Sequence, residues 1–214
     1  MNYTYSDLLG EVVDSERFED IANNLTIRTA INRGVRGVVR EVDLKSMKRK
    51  SSVTEGLLGD YEFACPADLK SIIDFQPTDR EGEIRLMLTS EENFDRKKEI
   101  YSNLITITYN GMARVIKCSY DADDDEVIGL LYYSKFGWQS KTFVWVENST
   151  ADDDLINADT EEFDLFVQKC KIEVFRDLKE FDLMKLAQQE YLDMKKVYGQ
   201  KYPSERLLLT QKYY

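Results

Sequence analysis

Apolar residues change their period twice along the chain, and the changes divide it into three regions. From residue 4 to about 42 the spacing is helical. Leu8, Leu9, Val12 and Val13 mark one side of a first helix, with Ser6 placed to cap it. Ile27, Ile31, Val35, Val38 and Val42 form the stripe of a second. Gly34 and Gly37 weaken that helix, and their lack of a side chain would let another backbone approach closely. From about 51 to 147 the period falls to that of strands. Residues 61–64 alternate and stop at Pro66, and further runs cover 71–75, 84–88, 127–133 and 142–146. Residues 90–95 read as a capped turn or short helix. Two β-rich runs within 103–118 flank Asn110-Gly111, which predicts a hairpin with a type I′ turn centred on that pair.

The third region predicts one long helix from about 160 to 198. Asp159 and Glu162 have capping-box spacing. Phe163, Val167, Cys170, Val174, Leu178 and Phe181 keep one face apolar, and Leu186, Met194 and Val197 continue the stripe after a bend near Asp182. Gly199 should end the helix, with Pro203 beyond it. The fold class that follows is α+β: N-terminal helices and a long C-terminal helix flanking a central antiparallel β domain, then an extended C-terminal tail. The boundaries fall at 1–50 for the N-terminal helical part and 51–150 for the β-rich domain. Residues 151–198 make the C-terminal helix, packed on the N-terminal helices, and 199–214 make the tail.

Two segments invite partners. The tail carries Tyr202, Leu207, Leu208, Leu209, Tyr213 and Tyr214, more large apolar groups than a disordered segment usually holds. Something should cover them, either this subunit's own body or another chain. Lys45, Lys48, Arg49 and Lys50 form the densest positive cluster. They make either a solvated connector or a loop that meets an acidic partner or a DNA phosphate.

Composition narrows the chemistry. The chain has 214 residues, a net charge of -11 and no histidine. Lack of histidine removes the commonest general base and the usual nucleophile pairs and zinc motifs, so no catalysis is expected. The negative charge argues against wrapping DNA, although an acidic wall suits a conduit that must not grip DNA passing through. Cys65, Cys118 and Cys170 are odd in number and far apart, so they read as reduced core residues. No apolar run approaches the roughly 18 residues of a membrane span, and the first residues do not read as a signal peptide, so synthesis in the cytoplasm is expected. Two acidic clusters, 121–126 and 152–154, fail the spacing of a calcium loop, since Glu126 and Asn157 stand where glycine is needed. No phosphate-binding glycine loop is present, so neither metal nor cofactor is expected. A metal-dependent nuclease using Asp123, Asp125 and Asp153 is the minor catalytic alternative.

The order of segments resembles the head-to-tail adaptor (connector, neck ring) proteins of tailed bacteriophages. The resemblance rests on Ala30-Ile31-Asn32-Arg33-Gly34-Val35, on Tyr61-Glu62-Phe63-Ala64-Cys65-Pro66-Ala67-Asp68-Leu69, on Ser90-Glu91-Glu92-Asn93-Phe94-Asp95-Arg96, and on Asp152-Asp153-Asp154 leading into the final helical region with Lys169, Leu178 and Ala187. It implies a virion protein of the neck, a homo-oligomeric ring, generally twelve-fold, that binds the portal protein and other neck and tail proteins. DNA passes through such a ring without specific binding, and no membrane is involved. It also implies that the C-terminal segment docks on the portal or on a neighbour, through Tyr202, Leu207, Leu208, Leu209, Tyr213 and Tyr214. The β region exceeds that of the smallest adaptors, which leaves a tail-completion or other distal neck or tail protein as the alternative.

Overall fold

The computed structural model describes residues 2–13, 25–54, 62–77, 87–101, 103–111, 113–119 and 127–206. In chain order the elements are β1 (Asn2–Thr4), α1 (Tyr5–Val12), α2 (Leu25–Glu41), a 3-10 turn (Lys45–Met47), β2 (Lys48–Thr54), β3 (Glu62–Ala64), β4 (Leu69–Pro77) and β5 (Met87–Leu88). They continue with α3 (Glu91–Lys97), β6 (Leu104–Asn110), β7 (Ala113–Cys118), β8 (Val127–Ser134), β9 (Trp138–Gln139), β10 (Trp145–Val146), β11 (Leu155–Asn157), α4 (Thr160–Asp177) and α5 (Phe181–Lys201). The protein is therefore mixed α+β. Two compact units divide it, Met1–Lys48 with Ser134–Ser204, and Arg49–Tyr133 together with Glu205 and Arg206 among the described residues. Residues 49–133 of the second unit are an insertion into the chain of the first.

The first unit is built around α4. Ile27, Ile31, Val35 and Val38 of α2, and Val42 just after it, are all buried, as the stripe predicts. The glycines explain how close α2 and α4 come. A Cβ added at Gly34 would lie 2.6 Å from Cys170 Sγ and 2.7 Å from Cys170 Cα, so backbone meets backbone there. At Gly37 the same atom would meet the Lys169 side chain at 2.7 Å. The α4 cap forms as expected: the Asp159 carboxylate accepts the Glu162 N–H at 2.9 Å, and the Glu162 carboxylate accepts the Asp159 N–H at 3.3 Å. The cap of α1 differs. Thr4, not Ser6, fills it, its hydroxyl accepting the Asp7 N–H while Asp7 accepts the Thr4 N–H. Ser6 donates instead to the Asp152 carbonyl.

One long C-terminal helix was expected, and two are found. Lys179 takes φ +61 between them. The Glu180 N–H reaches back to the Phe175 carbonyl at 2.9 Å, a left-handed helix stop. Such a stop normally uses glycine, and lysine there leaves no glycine or proline signal in the sequence. The break also resets the helical phase. In α5 the buried residues are Ala187, Tyr191 and Tyr198, while Leu186 and Val197 are 58% and 62% exposed. The stripe extrapolated through Leu186 and Val197 is thus a surface feature. The helix runs through Gly199 to Lys201.

The β-rich region expected over 51–150 is divided by the fold. Residues 134–157 belong with the helices, where β1-β11-β9-β10 form a small antiparallel sheet with Asn2 opposite Asn157 and Trp145 opposite Gln139. Trp138 is fully buried, its ring 5.8 Å from that of Tyr5. Gly137 is pressed against α2, where a Cβ would lie 2.5 Å from Val35 Cγ1. Asn32 fastens the same side by exchanging two hydrogen bonds with the Ser149 backbone, at 3.0 and 2.9 Å.

The inserted unit holds the orders β2-β8-β4 and β3-β7-β6-β5. Phe63, Leu69, Ile105, Ile116 and Leu130 centre its core. The predicted hairpin is β6–β7, but Asn110 pairs with Ala113, so the turn lies one residue later than expected and Gly111, at φ +62, is its first loop residue. The β5–β6 pairing is parallel, Met87 opposite Leu104, so the unit is not wholly antiparallel. Ser90 caps α3, with Phe94 buried beneath it. All three cysteines are free thiols, Cys118 and Cys170 buried and Cys65 partly so.

Gly34→Ala should lose about 2–3 kcal/mol, because the backbone of α4 cannot yield as a side-chain end can. Gly199→Ala, with open space around its added Cβ, should instead gain about 0.5–1 kcal/mol. Thermal unfolding of the two variants beside the parent checks both signs.

Candidate functional site

The described residues among those singled out in the sequence take different environments. Lys45 is held by its backbone, whose N–H donates to Tyr198 Oη at 3.0 Å. Its ammonium lies 5.6 Å from the centre of the Tyr202 ring. A member of the basic cluster and the first member of the proposed docking set therefore meet. Tyr202 also packs on Tyr198, ring centres 4.9 Å apart, and the Lys201 ammonium lies 5.2 Å from the centre of the Tyr202 ring while pairing with Glu161. Ser204 donates to Asp43 at 2.6 Å. Tyr202 is thus partly covered by its own subunit. Leu207, Leu208, Leu209, Tyr213 and Tyr214 lie outside the described residues.

The other basic residues take different roles. Arg49, in β2, is half-buried beside Asp68 and Tyr132, and burial pulls its pKa down while those two groups oppose the shift. The Tyr132 hydroxyl donates to Asp68 at 2.9 Å. Lys48 is half-buried and Lys50 exposed.

Beneath Lys45 lies a buried carboxylate. Glu162 is fully enclosed, and its Oε1 accepts the Tyr198 hydroxyl at 2.6 Å and the Ser46 N–H at 3.1 Å. Burial, then the bond to Glu162, pushes the Tyr198 phenol far above its ordinary range. One side chain thereby joins the start of α4, the turn after α2 and the end of α5. A second polar knot sits on Glu41 at the end of α2. It accepts from Lys169 at 2.6 Å and from Lys195 and Tyr191 at 3.0 Å each. Burial works against ionising Glu41, but these donors outweigh it and hold its carboxyl below the usual range.

The acidic triplet 152–154 is spoken for. Asp152 pairs with Arg28 and Asp153 with Lys141. Asp154 accepts the Thr150 and Ala151 N–H groups at 2.8 and 2.9 Å. Asp123 and Asp125 of the nuclease alternative lie outside the described residues, and among the described residues no group of three or more acidic or cysteine side chains is placed to hold a metal ion.

Two surface features were not read from the sequence. A groove of about 360 Å³ runs between α4 and α5. Buried Leu165 and Tyr198 and the more exposed Met194 and Val197 make its apolar lining, alongside the exposed acids Glu161, Asp164 and Asp193. Burial, then repulsion from Glu11, raises the Asp164 pKa. The second feature is the turn between β9 and β10, where Phe143 and Val144 are 74% and 56% exposed. The turn is closed by Ser140 N–H to the Val144 carbonyl and Phe143 N–H to the Ser140 carbonyl. Residues 142–146 read as a strand in the sequence, which hid the turn. The chain matches no protein-family model and no curated protein.

Glu41 carries a pH prediction. A carboxyl depressed in the folded state adds stability above its unfolded pKa of about 4.3, and that contribution is lost as pH falls through the folded value. Acid unfolding of Glu41→Gln should therefore lack part of the loss the parent shows below about pH 4. Urea midpoints at pH 7 and pH 3 check this: the gap between the two proteins should narrow at the lower pH.

Proposed function

We propose that the protein is a non-catalytic structural component of the neck of a tailed bacteriophage. It forms a ring, twelve-fold by the resemblance, that joins the portal to the tail and continues the DNA channel. It is made in the host cytoplasm and works at the head-tail junction of the virion. The observation that supports this reading best is the chain's construction, a β unit inserted into a helical unit that is closed by its own polar knots, one of them buried. A ring subunit needs a stiff wall and a separately varied contact element, and an insertion supplies both without disturbing the wall. In the ring the helices would make the wall and the inserted unit the lateral or tail-facing contacts.

Exposed apolar side chains add support. Phe143, Val144, Phe181, Leu186, Leu192 and Val197 all belong to the helical unit and are more than half exposed or, for Leu192, 50% exposed. Such side chains mark surfaces that assembly covers. A net charge of -11 suits a conduit wall that repels its cargo. The alternative, a ring further from the portal or a tail-completion protein, draws on the size of the insertion, Arg49–Tyr133.

In this reading the segment from Leu207 to Tyr214 docks on the portal, while Tyr202 and Ser204 keep their places on the subunit. Removing residues 207–214 should leave the melting temperature within about 2 °C of the parent and lower portal binding at least tenfold, about 1.4 kcal/mol. Co-sedimentation with portal rings from the same genome is the measurement. Undiminished binding of the truncated chain would remove the docking role from the tail.

A further inference from the structure

We infer that α5 is exchanged between copies of this chain: α4 and α5 join into one continuous helix, and each α5 takes its seat on a neighbouring subunit. The inference rests on the ring reading above for where the exchange is used, and it names a further contact between neighbours in that ring. All the residues concerned belong to the helical unit.

The joint between the two helices lacks the usual stop chemistry. Its hydrogen bonds are those of a left-handed helix end, Glu180 N–H to the Phe175 carbonyl at 2.9 Å and Lys179 N–H to the Arg176 carbonyl at 3.2 Å. Such an end normally carries glycine at the left-handed position and an apolar residue after it. Here those places hold Lys179, at φ +61, and Glu180. The start of α5 is no better served, since Glu180 stands at its N-cap with no side-chain bond to the helix. Residues 175–186 contain no glycine, proline or β-branched residue, and the apolar stripe runs through the joint from Val174 and Leu178 to Phe181. A continuous helix also sets Arg176 four residues before Glu180 and Lys179 three before Asp182, spacings at which opposite charges meet. The local sequence is therefore written for one helix of residues 160–201, roughly 60 Å long.

What closes the hairpin is the seat of α5, not the joint. Tyr191 and Lys195 donate to Glu41, each at 3.0 Å, and Tyr198 donates to Glu162 at 2.6 Å. Those carboxylates lie on α2 and α4, so every copy carries them. An α5 from a second copy makes the same bonds. Exchange thus keeps the whole seat and removes the strained turn at Lys179. Against this stands the cost of bringing two chains together, which falls where a partner ring lines the subunits up. A lone subunit in dilute solution therefore stays a hairpin, and crowded subunits exchange. Because each copy gives one helix and receives another, the series ends only when it closes on itself.

The test uses the full-length chain with Glu161→Cys and Lys201→Cys together. The native side chains form a half-exposed ion pair between α4 and α5, apart from the bonds that seat α5 on Glu41 and Glu162. A short bis-maleimide joins the two positions within one chain in the hairpin and between chains after exchange. Cys118 and Cys170 are buried, and burial pushes the Cys65 thiol up to about 11, so the native cysteines react slowly near neutral pH. Refolded from urea at high protein concentration, the double variant should give crosslinked multiples of one subunit on a denaturing gel. Refolded dilute, it should stay at the mass of one subunit. Adding Lys179→Gly should lower the multiples at least tenfold and raise the melting temperature of the monomer, because glycine suits the left-handed turn and disfavours the continuous helix. Adding Lys179→Val should raise them at least threefold, because a β-branched residue resists that turn. Crosslinks confined to single chains at every concentration, or multiples that Lys179→Gly leaves unchanged, would overturn the exchange. Portal protein takes no part here: multiples without portal binding would remove the neck reading and leave the exchange, and portal binding without multiples would do the reverse.

Discussion

The helical unit depends on one close approach, α2 against α4 at Gly34 and Cys170. With no Cβ at Gly34, the two helices meet backbone to backbone, and a methyl group would sit 2.7 Å from Cys170 Cα. Helix pairs usually stand 8–10 Å apart because side chains separate them; a glycine contact removes that layer and places the flanking residues in register. The consequences spread along both helices. Arg33 reaches Asp177 at 2.6 Å, and Lys169 reaches Glu41 at 2.6 Å. Gly137 brings the small sheet onto the other side of α2, against Val35 and Val39. A wider crossing would break these contacts together.

Polar chemistry then fixes what packing alone leaves loose. Glu41 gathers α2, α4 and α5, and Glu162 gathers α4, the 3-10 turn and α5. Glu162 is fully buried and Glu41 partly exposed, and a carboxylate drawn out of water has its desolvation offset only when its lone pairs are filled, as both are here. They favour one arrangement of three helices over nearby slipped ones. That specificity suits a subunit whose proposed work is mechanical, since a ring under load needs one wall geometry. The inserted unit has its own core around Phe63, Ile105 and Ile116, so its surface can vary without moving the helical packing.

Much of this was legible in the sequence, for physical reasons that differ by element. The α2 stripe and the Asp159–Glu162 cap follow from local rules, and the glycine pair in α2 correctly signalled a close neighbour. The β6–β7 hairpin was visible in its β-rich arms, although pairing set the turn one residue later. Strands of two or three residues gave no periodic signal, so the β1–β11 pairing, which joins Asn2 to Asn157, was not readable. The break at Lys179 was hidden because the left-handed stop uses lysine where glycine is usual. That one residue also concealed the groove, since the phase of α5 decides whether Val197 faces the core or the surface. Of the candidate site residues, Lys45 and Tyr202 were singled out separately, and only folding brings them together.

The most direct measurement is mass photometry of the full-length protein, alone and then mixed with portal protein from the same genome. The neck-ring account predicts that adding portal yields one discrete complex whose extra mass is a fixed multiple of 25.0 kDa, one subunit for each portal chain. Portal and subunit masses that stay unchanged in the mixture, at concentrations where rings should assemble, would contradict it.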